Sequence, residues 1–149
     1  MILKLKGEFY FEHWRQEQCL IRDTCANGIT NVGKNALFDI MFGAVTQVTA
    51  WYIGLIDSSG YTALAAADTS ASHAGWNEFT TYSESVRQAW TVGAAASQSI
   101  TNPTTAVFNV TGSATLKGAF IISNSTKSGS TGTLWSTALF AADAPVVSG

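Results

Sequence analysis

A strict alternation of apolar and polar side chains near the start of the chain constrains the fold more than any other feature. Within residues 2–12 the even positions from Lys4 to Glu12 form the polar face, and the odd positions form the other face, which consists of Leu3, Leu5, Gly7, Phe9 and Phe11. A period of two residues is typical of a β-strand with one buried face. A polar connection at residues 13–18 leads to a second strand, Cys19–Cys25. We therefore predict an antiparallel hairpin over residues 2–25.

The periodicity changes after Asn27-Gly28, a dipeptide that favours a turn. The apolar residues that follow recur at helical spacing, and they are Val32, Ala36, Leu37, Ile40 and Met41. Either Thr30 or Asn31 can cap the N-terminus of a helix, and Gly43 can end it. These signals predict one short helix at residues 31–42, closing one end of a β core.

The rest of the chain is typical of short strands that form a core over residues 49–140. Thr49–Ile56 is apolar on both faces and is expected to be central, whereas residues 61–75 are expected to form a long ordered loop. Further strand candidates are Trp76–Tyr82, Val86–Val92, Gln98–Thr101, Ala106–Thr111, Leu116–Ser123 and Thr133–Phe140. No repeat or linker divides residues 1–149. Short strands at this spacing predict a mainly β, single-domain antiparallel β-sandwich or jelly-roll-like barrel.

Composition excludes several classes of protein. Ala, Thr, Ser and Gly make up nearly half of the 149 residues, 12% of residues are charged, and the formal net charge is −2. This balance disfavours a disordered chain and a nucleic-acid-binding protein. The apolar stretches are much shorter than the ~20 residues that a membrane-spanning helix needs. The first residues lack the apolar core of a secretory signal, so we expect a cytosolic product, or one that is assembled into something larger in the cytosol.

Candidates for metal binding and catalysis are few. Cys19, Cys25, His13 and His73 show none of the close spacings that metal sites use, so we expect no metal and no cofactor, and reduced cysteines. The serines are not set in a Gly-x-Ser-x-Gly motif, and the histidines have polar neighbours typical of surface residues. The sequence therefore indicates a protein that is not an enzyme.

One alternative rests on acidic and aromatic residues that are close in sequence. Glu78 and Glu84 lie near Trp76 and Tyr82, and an aromatic platform flanked by acids is typical of a sugar site. A carbohydrate-binding module that uses Trp76 or Trp90 therefore remains an alternative.

Several longer motifs carry a resemblance to a known family, and it covers most of the chain. They are Lys6-Gly7 with the strand Phe9–Phe11, Ile29–Asp39 (ITNVGKNALFD), Ala50–Asp57 (AWYIGLID), Gly60–Ala65 (GYTALA), His73–Phe79 (HAGWNEF), Leu116–Ile121 (LKGAFI) and Gly132–Phe140 (GTLWSTALF). In these motifs the chain resembles small virion proteins of tailed bacteriophages. None of the motifs is catalytic.

The resemblance implies a capsid decoration (cement) protein that is made in the host cytoplasm and incorporated on the capsid surface. It would bind the major capsid protein and neighbouring copies of itself or another cement protein, without nucleic acid or membrane, and would stabilise the expanded head. We expect partner contacts at Trp14, Tyr61 and Trp76, and core positions for Trp51 and Phe120. A tail or baseplate component, as an adaptor or receptor-binding tip, is the main alternative.

The end of the chain departs from the family pattern. Family members continue past a glycine turn into a last strand, whereas this sequence ends at Val146–Gly149. We therefore expect the last strand to be absent or supplied by another chain. The open sheet edge would then invite strand addition.

Overall fold

A computed structural model describes residues 4–148, so residues 2 and 3 of the predicted hairpin lie outside the described part. One helix and eight strands form, in chain order: β1 (Glu8–Arg15), β2 (Gln18–Ala26), β3 (Gly28–Ile29), α1 (Asn31–Phe42), β4 (Tyr52–Asp57), β5 (Asn77–Phe79), β6 (Gln88–Ala89), β7 (Ala114–Ile122) and β8 (Leu134–Val146). Every described strand pair is antiparallel. Within residues 4–148, no helix is long and apolar enough to cross a membrane.

Strands β1 and β2 form the predicted hairpin, with a shorter turn than expected. Residues 13–15 still pair with β2, so the turn itself is only Gln16-Glu17. Both turn residues have positive φ, 46° and 64°. Two-residue hairpin turns require this left-handed backbone because its twist matches that of the strands. The strain falls on two residues with side chains, for which the conformation is unfavourable.

Replacing Glu17 by glycine is expected to stabilise the protein by about 0.5–1 kcal/mol, because glycine adopts positive φ without a steric cost. The measurement is the free energy of unfolding in urea. Gln18→Gly, one residue further on inside β2, is the control and should destabilise. Equal effects of the two changes would contradict the turn geometry.

The other six strands form one open sheet in the order β3-β8-β7-β4-β5, with β6 also pairing with β4. The hairpin packs on one face of this sheet. Phe9, Phe11, Ile21 and Cys25 of the hairpin join a cluster with Leu55 and other core residues of the sheet. The rings of Phe11 and Phe140 stack with their centroids 4.1 Å apart. The prediction of a mainly β, single-domain, sandwich-like fold is confirmed.

A second apolar cluster lies around Ile56, Phe120, Ile122 and Leu134 of the sheet and includes the buried ring of Trp76. Phe120 is a core residue, as predicted. Val32 of α1 packs against the same cluster, together with Tyr52, Tyr61 and Leu64.

Helix α1 has the predicted bounds, and Thr30 is its N-cap. The Thr30 side chain accepts a hydrogen bond from Gly33 N–H at 3.1 Å, while Thr30 N–H donates to Trp135 O at 3.0 Å. A Cβ on Gly33 would lie 2.6 Å from that same carbonyl oxygen. The first turn of the helix therefore lies directly against the backbone of β8.

Several predicted strands are shorter than expected or do not form. β4 begins at Tyr52 rather than at residue 49, and β5 and β6 are three and two residues long. Gln98–Thr101 and Ala106–Thr111 contribute only isolated bridges, Ala96↔Ser99 and Tyr82↔Val110. At the start of the first segment, Ser97 and Gln98 have positive φ and form a tight turn between the bridge partners Ala96 and Ser99. In the second segment, Ala106–Thr111, only alternate side chains such as Phe108 and Val110 pack against the apolar core.

The expectation that the core ends at residue 140 is wrong. β8 continues to Val146, and both Ala144 and Val146 are buried. Residues 140–143 bulge between the pairs Gly118↔Leu139 and Leu116↔Ala144. Within this bulge Ala141 N–H donates to Asp23 Oδ2 of the hairpin at 2.6 Å. A bulge, an occupied donor and the missing N–H of Pro145 protect this part of the strand against strand addition.

Candidate functional site

The three predicted contact residues have different environments. Trp14 lies on the hairpin and is 53% exposed, Tyr61 is half-buried, and Trp76 is only 2% exposed. Tyr61 and Trp76 belong to the same apolar cluster, which does not include Trp14.

The burial of Trp76 corrects the expectation that it contacts a partner. His73 stacks on its ring with centroids 4.0 Å apart, and the ring of Phe120 lies 5.1 Å away. The indole N–H donates to Asp68 Oδ2 at 3.0 Å. The ring contacts and the N–H donor of the Trp76 indole are therefore used within the protein. The predicted ordered loop at residues 61–75 ends at this anchor.

Glu78, which the sequence marked as part of a sugar site, instead forms a buried ion pair with Arg87. Arg87 Nε and Nη2 each donate to one Glu78 carboxylate oxygen at 2.8 Å, and the two side chains are 3% and 5% exposed. The Arg87 guanidinium also lies 5.3 Å from the centre of the Phe120 ring. Sequence analysis did not single out Arg87, because nothing in the local pattern distinguishes a buried arginine from a surface one.

The ion pair holds the connection between β7 and β8, residues 123–133, in place. Arg87 Nη1 donates to Asn124 O at 2.9 Å, and Ser128 N–H donates to Glu78 Oε2 at 2.6 Å. Lys127 Nζ donates to Thr80 O and Tyr82 O at 3.1 and 2.8 Å. The β7–β8 connection is therefore held by charged groups.

A cavity of about 200 Å³ lies beside this ion pair, lined in part by Ser70, His73 and Ser128. The charged and aromatic groups in its wall are already paired with one another, as described above. Glu84 lies apart, accepting hydrogen bonds from Asn109, and the ring of Tyr82 is buried. The platform of Trp76 and Tyr82 is therefore not accessible, whereas Trp90, the other residue named for the carbohydrate-binding alternative, is only partly buried.

The outward side of the hairpin presents a different surface, which we call the outer hairpin face: Tyr10, Glu12, Trp14, Leu20 and Arg22. Glu12 lies at its centre. Its Oε2 accepts from the Trp14 indole N–H, and its Oε1 accepts from Arg22 Nε, both at 2.7 Å. The hydrogen bond from Trp14 lowers the pKa of the Glu12 carboxyl, with a further contribution from Arg22. The hydrogen bond to Glu12 in turn raises the pKa of Arg22.

This arrangement orients an exposed tryptophan before any partner arrives. Tyr10, Trp14 and Leu20 all remain largely exposed. Trp, Tyr and Arg are the residues most enriched at the energetic centres of protein interfaces. A tryptophan whose orientation is already fixed loses less entropy on binding. The outer hairpin face is therefore suited to binding another protein surface.

A second exposed surface, the α1 patch, consists of Phe38, Met41 and Phe42. Their exposed fractions are 46%, 62% and 79%, and the two phenylalanine rings stack at 6.3 Å. Sequence analysis placed Met41 on the buried side of the helix. The sequence feature that could have revealed the patch is the pair Phe38 and Phe42, which are four residues apart on the side of the helix opposite Gly33 and Ile40.

The described residues contain no group of three or more His, Cys, Asp or Glu side chains that could hold a metal ion. Both cysteines are free, as expected from their spacing. No family model matches the chain. No curated protein matches it either, and no solved structure matches it.

Proposed function

We propose that this chain is a non-enzymatic structural protein of a tailed-phage virion, a capsid decoration protein that binds the lattice of major capsid proteins through its outer hairpin face. The observation that supports this proposal best is the exposed Trp14, oriented by Glu12 and flanked by Arg22 and Tyr10. The resemblance of the sequence motifs to small virion proteins supplies the phage context.

The proposed mechanism is thermodynamic. A protein that binds only the expanded shell stabilises that state by mass action and needs no chemistry. Many copies on one shell would act together, so each contact can be weak. The hairpin suits this role because its inner face is anchored to the sheet through Phe11 and Asp23, which leaves its outer face free for the shell.

The copy number in purified virions tests this proposal, measured by quantitative mass spectrometry against the major capsid protein. We expect a copy number equal to that of the major capsid protein, or a simple fraction of it. A much lower number that matches the symmetry of the tail would assign the protein to the tail or baseplate instead. Absence from the particle would overturn both structural roles.

Replacing Trp14 by alanine is expected to weaken binding to expanded heads by about 30-fold or more, because truncation of a central tryptophan typically costs at least about 2 kcal/mol. Heads without the protein would be titrated with purified variants and the bound fraction measured after sedimentation. Val107→Ala, at another exposed apolar position, is the matched control and should bind normally. Normal binding by the Trp14 variant would contradict the assignment of the outer hairpin face.

A further inference from the structure

The α1 patch is not used in the proposed function, and it needs an explanation of its own. Phe42 is 79% exposed, and it lies within one turn of two other exposed apolar side chains, Phe38 and Met41. The side of a surface helix that points away from the core is normally polar. We propose that the α1 patch joins two copies of this chain through an antiparallel helix pair with two-fold symmetry.

The size of the patch favours a weak self-association. Since an aromatic side chain can bury roughly 150–250 Å², the three exposed fractions sum to an area on the order of 350 Å². A stable dimer buries about 800 Å² on each partner. The patch alone therefore supports a dimer that forms at high local concentration and dissociates on dilution.

The charges on the helix favour an antiparallel arrangement. Lys34 lies one turn before Phe38 on the exposed side, while the first turn has no acidic residue and the last turn has no basic one. The carboxyl end of a helix carries partial negative charge and is stabilised by a nearby cation. In an antiparallel pair the partner's Lys34 supplies that cation. A parallel pair would instead bring the two lysines together.

The positions of these residues also define the register of the pair. Lys34 and Phe42 lie four residues on either side of Phe38, about 6 Å along the helix in each direction. With the two-fold axis at Phe38, each Lys34 therefore lies opposite Phe42 of the other copy. A two-fold contact of this kind uses the same surface on both copies and leaves no unmatched patch to propagate a chain.

Sedimentation velocity of the purified protein tests the association. A monomer–dimer equilibrium is expected with a dissociation constant on the order of 0.1 mM, as suits so small an interface. Phe42→Asp should raise this constant at least tenfold, and Lys34→Glu should raise it several-fold, whereas Lys34→Arg should leave it unchanged. Val107→Asp, which puts the same charge at another exposed apolar position, should also leave it unchanged. A protein that stays monomeric up to about 1 mM would overturn the proposal.

Cysteine cross-linking tests the register and is performed in a Cys19→Ser background, because Cys19 is partly exposed and Cys25 is buried. Phe38→Cys is expected to form a disulfide-linked dimer rapidly. Lys34→Cys and Phe42→Cys should cross-link when mixed but only slowly when each is alone. If the control variant Val107→Cys cross-linked as rapidly as the helix variants, the antiparallel pair would be overturned. Because these tests use purified protein, their outcome is independent of the copy number in virions.

Discussion

Replacing Arg87 by methionine is expected to destabilise the protein by about 3–5 kcal/mol, the largest effect that we predict for a single side chain. The change removes the two hydrogen bonds from Arg87 to Glu78 and the one to Asn124 O, and leaves the Glu78 carboxylate, which is only 5% exposed, without its cation. An uncompensated buried charge carries a penalty of this size. Urea denaturation followed by tryptophan fluorescence measures the loss.

Two comparisons separate the buried charge from other causes. Arg22→Met breaks the exposed ion pair with Glu12 and should cost only a small fraction of the loss caused by Arg87→Met, because exposed ion pairs contribute little to stability. The double variant Arg87→Met with Glu78→Leu removes both charges and should recover part of the loss, since an apolar replacement of a buried pair is often tolerated. A single Arg87 variant within about 1 kcal/mol of the parent protein would show that the pair is not important for stability.

Replacing Gly54 by alanine is expected to cost about 2–3 kcal/mol, because overpacking a dense core is destabilising. Gly54 pairs with Phe120 across β4 and β7, and a Cβ at Gly54 would overlap the Phe120 ring. The ring is 1% exposed and packs against both Trp76 and Arg87, so it has little room to yield. Chemical denaturation of the purified variant gives the change in stability.

The control for this prediction is Gly28→Ala, where the nearest atom to the new Cβ lies 3.9 Å away and an effect within about 0.5 kcal/mol is expected. A second variant, Gly54→Ala with Phe120→Leu, removes the overlap. Its loss should be smaller than the sum of the two single losses by at least about 1 kcal/mol, since residues in contact are coupled. Simple additivity would contradict the assigned contact.

Sequence periodicity predicted the elements whose two sides face different environments. The alternation around Phe9 and Phe11 predicted the hairpin, and the helical spacing after Thr30 predicted α1 with its observed bounds. In both cases the pattern of one segment is sufficient, because the buried and exposed sides follow directly from local geometry.

The environments of single residues were less predictable, because they depend on distant parts of the chain. Trp76 is buried by Phe120, and Arg87 is paired with Glu78 and held to Asn124 in the β7–β8 connection. No local pattern contains those contacts. The short strands β5 and β6 are likewise defined by their pairing with β4 rather than by their own residues.

The buried ion pair also has a consequence for the order in which the protein folds. Arg87 and Glu78 lie nine residues apart and pair directly, but the hydrogen bonding of the pair is complete only when the backbone groups of Asn124 and Ser128 have arrived. These contacts join residues up to 50 positions apart. The chain must therefore lose conformational entropy before the contacts contribute favourable free energy. The hairpin, by contrast, closes through neighbouring residues. We therefore expect the hairpin to form early in folding and the hydrogen bonding around the ion pair to be completed late.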